Sequence, residues 1–177
     1  MEFIYDATAS IMQFIQANQN WAIPIMFLLA FGESLALVSL IIPATAILLG
    51  AGALIGADLL PFFPIWLAAT VGAILGDWIS YWLGKHYHDK IIKLWPLSKN
   101  QRLIVKGEQF FYRWGFSGVF VGRFFGPLRA IVPLIAGTMR MSSFKFSIAN
   151  VTSAPLWAFV LLAPGAFGIS WLETLFG

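Results

Sequence analysis

The chain has no cysteine among its 177 residues, which excludes disulfides, thiolate metal sites and a cysteine nucleophile together. Charge is nearly as scarce. Asp, Glu, Lys and Arg make up 11% of the residues, whereas soluble domains average about 25%. No Lys or Arg precedes Lys85, and nothing charged falls between Lys145 and Glu173. Several catalytic signatures are missing as well: G-x-S-x-G, Walker A, H-E-x-x-H and the dinucleotide fingerprint. The start Met1-Glu2-Phe3 has no basic n-region and no small-residue cleavage signal, so no removable signal peptide is expected.

What fills the chain instead is apolar: 59% of residues are hydrophobic and 16% aromatic. A soluble core of this length cannot hide so much apolar surface, so the expected class is an all-α membrane protein. Residues 64–84 and 146–165 each meet the requirement of about 20 predominantly apolar residues for a spanning helix. All eleven basic residues lie between Lys85 and Lys145, and the stretch 85–113 holds seven of them against two acids. That stretch reads as a cytoplasmic loop by the positive-inside rule. The net charge of +3 therefore reports topology, and nucleic acid is not an expected partner.

Four segments follow. Residues 1–20 carry apolar side chains at 3.6-residue spacing between 3 and 18, the pattern of an amphipathic helix lying in the membrane interface or capping the bundle. Residues 21–84 form a first half. Its apolar block at 21–57 is too long for one straight span and is broken by Pro43, Gly50, Gly52 and Gly56, and the part after Pro43 is too short to cross alone. Residues 85–113 are the basic loop. In the second half, 114–167, only nine residues separate Arg113 from Arg123 before Gly126-Pro127 breaks any helix. Irregular backbone at membrane depth persists only where protein buries it or a cavity faces it. The expected architecture is thus an inverted repeat of two re-entrant helical hairpins, each followed by a transmembrane helix, with both chain ends outside.

The two halves echo one another. Gly32-Glu33 precedes Pro43 by the same interval as Gly122-Arg123 precedes Pro133, and Ala69-Thr70-Val71 matches Ala149-Asn150-Val151. Paired, Gly/Pro-interrupted segments of this kind point to a transporter's midplane site.

Glu33, Asp77, Arg123 and Arg129 are the ionisable residues in the membrane-depth segments. An arginine at mid-bilayer costs about 2.5–3.5 kcal/mol on insertion scales, so each needs a partner or an aqueous cavity. Two acids and two bases form a neutral set that can pair. Structural salt bridges are one reading, and an anion site is the other. On an unbroken helix, positions 123 and 129 would point about 120° apart. Gly126-Pro127 removes that restriction and lets two guanidinium forks converge on a phosphate oxyanion. Phe124 and Phe125 offer apolar surface for an attached tail. Asp77 and Tyr81 share a helix face, beside Gly72 and Gly76 at helix-packing spacing. Trp66, Trp78, Trp82, Trp95, Trp114, Trp157 and Trp171 read as a set that includes interfacial anchors. His86, His88 and Asp89 look like metal ligands on paper but sit in a Lys-rich stretch with no further histidine, so neither metal nor cofactor is expected.

Residues 27–160 resemble the DedA family, also called SNARE-associated or VTT-domain membrane proteins. The likeness rests on Gly115, Gly122-Arg123-Phe124, Pro127, Arg129, Pro133, Ala136-Gly137, Met141, Phe144, Asn150 and Trp157. Gly76-Asp77, Tyr81, Gly84 and a Glu33 placed ahead of Pro43 extend it to the first half. The resemblance implies a multi-pass protein of the bacterial inner membrane that moves phospholipids or polyprenyl phosphates between leaflets, with proton or sodium coupling. It carries the intramembrane acid and paired arginines over to Glu33, Arg123 and Arg129. One departure stands out: many members place a second acid soon after the first-hairpin proline, where this chain has Ala44-Thr45.

The sequence reading is then a lipid transporter, or flippase. Arg123 and Arg129 bind a phosphorylated headgroup, and Glu33 and Asp77 couple it to an ion. Pro43, Thr45, Tyr81, Gly126, Pro127 and Pro133 support the site. Two other classes remain open: a membrane-embedded lipid (pyro)phosphatase, against which the absence of an evident nucleophile counts, and a non-catalytic scaffold. Phosphorylated membrane lipids are the expected partners, with a homo-oligomer as a further expectation.

Overall fold

The computed structural model describes residues 19–35, 44–88, 90, 101–125 and 128–176. Every regular element among them is helical. A single 3-10 turn, Gln19–Trp21, leads into α1 (Ala22–Ser34), followed by α2 (Ala44–Gly56), α3 (Phe62–His86), α4 (Gln101–Gly122), α5 (Leu128–Thr138) and α6 (Ser143–Phe176). The expected amphipathic helix at 3–18 lies outside the described residues, as do Pro43, Gly126 and Pro127.

Among the described residues, two helices are long and apolar enough to cross a membrane: Phe62–His86 and Ser143–Gly168. At 1.5 Å per residue, α1, α2 and α5 are about 16–20 Å long and cannot cross a core of about 30 Å. On α3, Phe63, Leu67, Val71, Leu75, Trp78 and Trp82 are all exposed at spacings of three and four, a continuous apolar stripe that only lipid or another apolar partner can cover.

Side-chain hydrogen bonds show that α3 and α6 run antiparallel. Lys85 Nζ donates to Ser143 Oγ at 2.8 Å, Trp78 Nε1 to Ser147 Oγ at 3.1 Å, Asn150 Nδ2 to the Ile74 carbonyl at 3.0 Å and Trp66 Nε1 to the Pro155 carbonyl at 2.9 Å. The last of these holds α6 against α3 at Pro155, a proline inside the span.

The shorter helices pack crosswise on this pair. In the first half α1 lies on α3 and α2 on α6; in the second, α4 lies on α6 and α5 on α3. Glycine makes these approaches close. A Cβ on Gly76 would stand 2.5 Å from the Phe31 carbonyl oxygen, and one on Gly52 would stand 2.6 Å from that of Leu162. Gly72 meets the Phe27 carbonyl in the same way, so the Gly72/Gly76 spacing is indeed a helix-packing motif.

The tightest seam joins α3 to α5, where a Cβ on Gly84 would collide with the Leu134 carbonyl and one on Gly137 with the Tyr81 carbonyl. These obstacles are backbone and cannot rotate aside. Gly137→Val should therefore cost at least the about 1–3 kcal/mol typical of overpacking. The loss is expected as a lower melting temperature in detergent and less monodisperse protein on size exclusion; unchanged behaviour would mean the two helices do not touch there.

The stretch 85–113, expected as a loop, is helical at both ends: α3 runs to His86 and α4 begins at Gln101. High charge density suggested a loop, but a polar-faced helix at a membrane edge carries the same composition. Glycine explains the bend in α4. Gly115 adopts φ +31, ψ −104, a conformation that a residue with a Cβ rarely adopts, and so turns the helix between its polar and apolar parts.

Two apolar cores result. One gathers Met26, Ala30, Ile47, Leu48, Ile65, Ala69, Ala73, Trp157 and Leu162, and the other Tyr81, Phe111, Val119, Ala136, Phe146 and Ala149. On α3 the first ends at Ala73 and the second resumes at Tyr81, an interval of about 12 Å along the helix. That interval holds Asp77.

Candidate functional site

All four ionisable residues singled out from sequence lie in the layer between the two cores, and all are buried: Glu33 6%, Asp77 5%, Arg123 5% and Arg129 8% exposed. They come from different elements. Glu33 closes α1, Asp77 stands inside α3, Arg123 follows the end of α4 and Arg129 is the second residue of α5.

Their pairing is specific. Arg123 Nη2 forms an ion pair with Asp77 Oδ2 and also donates to Asn150 Oδ1. Asn150 is held in turn by its bond to the Ile74 carbonyl, so α3, α4 and α6 are tied at one level. Arg129 Nη1 donates to Glu33 Oε1 at 3.1 Å, and its Nη2 donates to Ser34 Oγ at 3.3 Å. The Arg129 guanidinium also lies 4.0 Å from the centre of the Trp157 ring, a cation–π contact in a dry setting. Thr45, at the start of α2, donates its hydroxyl to Glu33 Oε1, so the supporting role read for it from sequence has a partner. Ser34 links this second pair to α3, because its carbonyl accepts from Ser80 Oγ at 3.0 Å while its hydroxyl accepts from Arg129.

Each arginine of the second half is thus neutralised by an acid of the first. Among the described residues two charged atoms of this layer are buried without a partner, Glu33 Oε2 and Arg123 Nη1. A buried charged group left short of hydrogen bonds is costly, and so many unmade bonds in one layer call for an explanation.

Tyr81 does not join the charges, although it shares their helix face. Its hydroxyl donates to the Met141 carbonyl at 2.5 Å and its ring stacks on Phe146 at 4.2 Å, which secures the start of α6. Pro133 is fully buried inside α5. Phe124 and Phe125 are exposed beside Arg123, as a surface for an apolar tail would be. His86 stacks on Trp82, and His88 Nδ1 bonds the Thr138 carbonyl.

Three members of the site escaped the sequence reading. Asn150 appeared in the internal echo and among the residues of the family resemblance, with no role of its own, although an asparagine inside a 20-residue apolar run is a signal in itself. Trp157 was grouped with the residues that supply interfacial anchors, yet it is buried beneath Arg129. Ser34 carried no signal beyond its place next to Glu33.

The sequence profile of the VTT domain matches residues 42–167. The chain belongs to the VTT-domain family. Relatives of this VTT protein include the inner membrane protein YabI of Escherichia coli, 38% identical over 157 residues, which are 89% of this chain and 62% of YabI. An uncharacterized membrane protein of Buchnera aphidicola is 33% identical over 152 residues, 86% of this chain and 59% of that protein. The inner membrane protein YghB of Salmonella typhimurium is 32% identical over 145 residues, 80% of this chain and 65% of YghB. YabI and YghB are DedA proteins, so the resemblance read from sequence holds and the chain is a membrane protein. It spans about 60% of the length of the first relatives it matches. No solved structure matches it. Within the VTT match lie Asp77, Arg123, Arg129, Asn150 and Trp157, whereas Glu33 and Ser34 precede it.

Proposed function

We propose that this VTT protein carries the phosphorylated headgroup of a lipid, a glycerophospholipid or a polyprenyl phosphate, between the leaflets of the inner membrane. The observation that carries this reading is the cross-half pairing: two buried arginines of one half held by two acids of the other, with Arg123 Nη1 and Glu33 Oε2 unsatisfied. Such a layer is poised to exchange partners. An anionic headgroup competes with the carboxylates for the guanidiniums, and protonation of Glu33 releases Arg129 to it. The planar forks suit phosphate oxygens, and the tail remains in lipid beside Phe124 and Phe125.

The crosswise packing supports two opposed re-entrant hairpins. Matched levels along α3 and α6 have α1 descending from the end opposite Lys85 to the charged layer and α2 returning to that end. By the same matching, α4 rises from the basic end to Arg123, and α5 goes back down. With the basic end cytoplasmic, the charge layer is approached from both faces, as alternating access requires. Coupling would then use Glu33 and Asp77, because no acid stands directly after Pro43, where Ala44-Thr45 follow.

Reconstitution tests this. Vesicles containing the protein should exchange a fluorescent phosphorylated lipid between leaflets faster than protein-free vesicles, and the double variant Arg123→Ala/Arg129→Ala should not. Equal exchange by the double variant would refute the proposal. Release of inorganic phosphate from a lipid pyrophosphate would instead establish an enzyme.

A further inference from the structure

A second region of the molecule combines positive charge, aromatic rings and open volume, and nothing in the charge layer uses it. A groove of about 890 Å³ lies where the bend of α4 faces the turn between α5 and α6. Arg113 and Lys145 line it, one from α4 and one from α6, and both are exposed. Its floor includes Phe111 and Met141, which belong to the core around Tyr81 and Phe146, and Trp114 and Phe116 form an exposed apolar wall. The described lining residues include no acid.

Three features make this more than a dent in the surface. Gly115 lines the groove, and its positive φ is what turns α4 around it, so the shape is written into the backbone. Ser142 also lines it, and the Ser142 carbonyl accepts the Phe146 amide in the first turn of α6. The start of a long helix, with free amides and the positive end of its dipole, therefore faces the same space as the two cations. Third, Arg140 is exposed in the turn between the lining residues Met139 and Met141, which adds a further positive charge nearby.

Depth settles what kind of anion fits. Lys85 bonds Ser143, so the groove lies at the basic end of the long helices, where the headgroup region of one leaflet meets the protein. Trp114 and the almost fully exposed Tyr112 belong to the amphipathic ring type found at that level. A soluble anion would use the cations and leave the exposed rings of Trp114 and Phe116 wet. An amphiphile uses both.

We infer that this groove binds an acidic phospholipid of the leaflet at the basic end, its phosphate between Arg113 and Lys145 and the start of its acyl chain against Trp114 and Phe116. The site is separate from the buried charge layer, and its occupancy does not depend on whether the protein transports lipid.

Native mass spectrometry of the purified full chain, titrated in detergent with dioleoyl phosphatidylglycerol, tests it. Wild type should retain one lipid more tightly than all others, and should not do so with dioleoyl phosphatidylcholine. Arg113→Gln/Lys145→Gln should weaken that binding at least about tenfold. Lys90→Gln removes a positive charge outside the groove and should leave it within about twofold. All of these side chains are exposed, so folding is little affected. Equal retention of phosphatidylcholine, unchanged binding by the groove variant, or equal loss in the control variant would each overturn the assignment. In vesicles of phosphatidylcholine, brominated phosphatidylglycerol added as a minor component should quench wild-type tryptophan fluorescence more than that of Trp114→Phe; equal quenching would count against the site.

Discussion

Arg123→Ala should cost about 3–5 kcal/mol of stability, because it strands Asp77 as an unpaired buried carboxylate. The same change removes the donor from Asn150 Oδ1, whose amide group is fixed by the Ile74 carbonyl and cannot turn to another partner without breaking that bond. The expected result is a large drop in melting temperature in detergent with membrane insertion retained, since the apolar spans are intact. Removing both charges should behave differently. Arg123→Gln with Asp77→Asn replaces the ion pair by neutral groups that can still hydrogen-bond, and it should recover most of the lost stability. Transport should not recover, because no cation remains at that position to receive a headgroup. A single variant that melts like wild type would show that Asp77 has water or another partner. A double variant that regains transport would show that the pair is structural only.

Arg129→Lys should separate function from folding at the second pair. Lysine keeps the charge that Glu33 and the Trp157 ring require, so the melting temperature should change little. It replaces a planar fork by a point charge, however, and Arg129 now uses both terminal nitrogens, one on Glu33 and one on Ser34. Leaflet exchange of a phosphorylated lipid should fall at least about tenfold, equivalent to about 1.4 kcal/mol. Full activity would mean that charge alone suffices and that no bidentate grip on the headgroup exists.

Much of this site was legible before any fold was known. Ionisable residues are so costly in hydrocarbon that Glu33, Asp77, Arg123 and Arg129 stand out by their presence alone. Which acid serves which arginine was not legible. Glu33 and Asp77 were read together as the coupling acids, and the structure divides the work, Asp77 holding Arg123 and Glu33 holding Arg129. These partners are 46 and 96 positions apart. No local periodicity reports a contact across such a distance; it follows from where the glycine seams let the helices approach.

Local pattern also misled at two places. The charge density of 85–113 suggested a loop, although helix α4 already runs from Gln101. Trp157 fell among tryptophans read as including interfacial anchors, because an indole in an apolar run looks the same whether it faces headgroups or a buried guanidinium.

Composition and spacing determined that the chain lives in a membrane, that two of its helices are long enough to cross, and which charged residues sit at depth, because solvation cost acts on each residue separately. Tertiary packing alone decided the pairing of those charges, the recruitment of Ser34, Asn150 and Trp157, and the cationic groove at the basic end. Those depend on backbone-to-backbone contacts between distant helices, and the free energy of such contacts belongs to no single stretch of sequence.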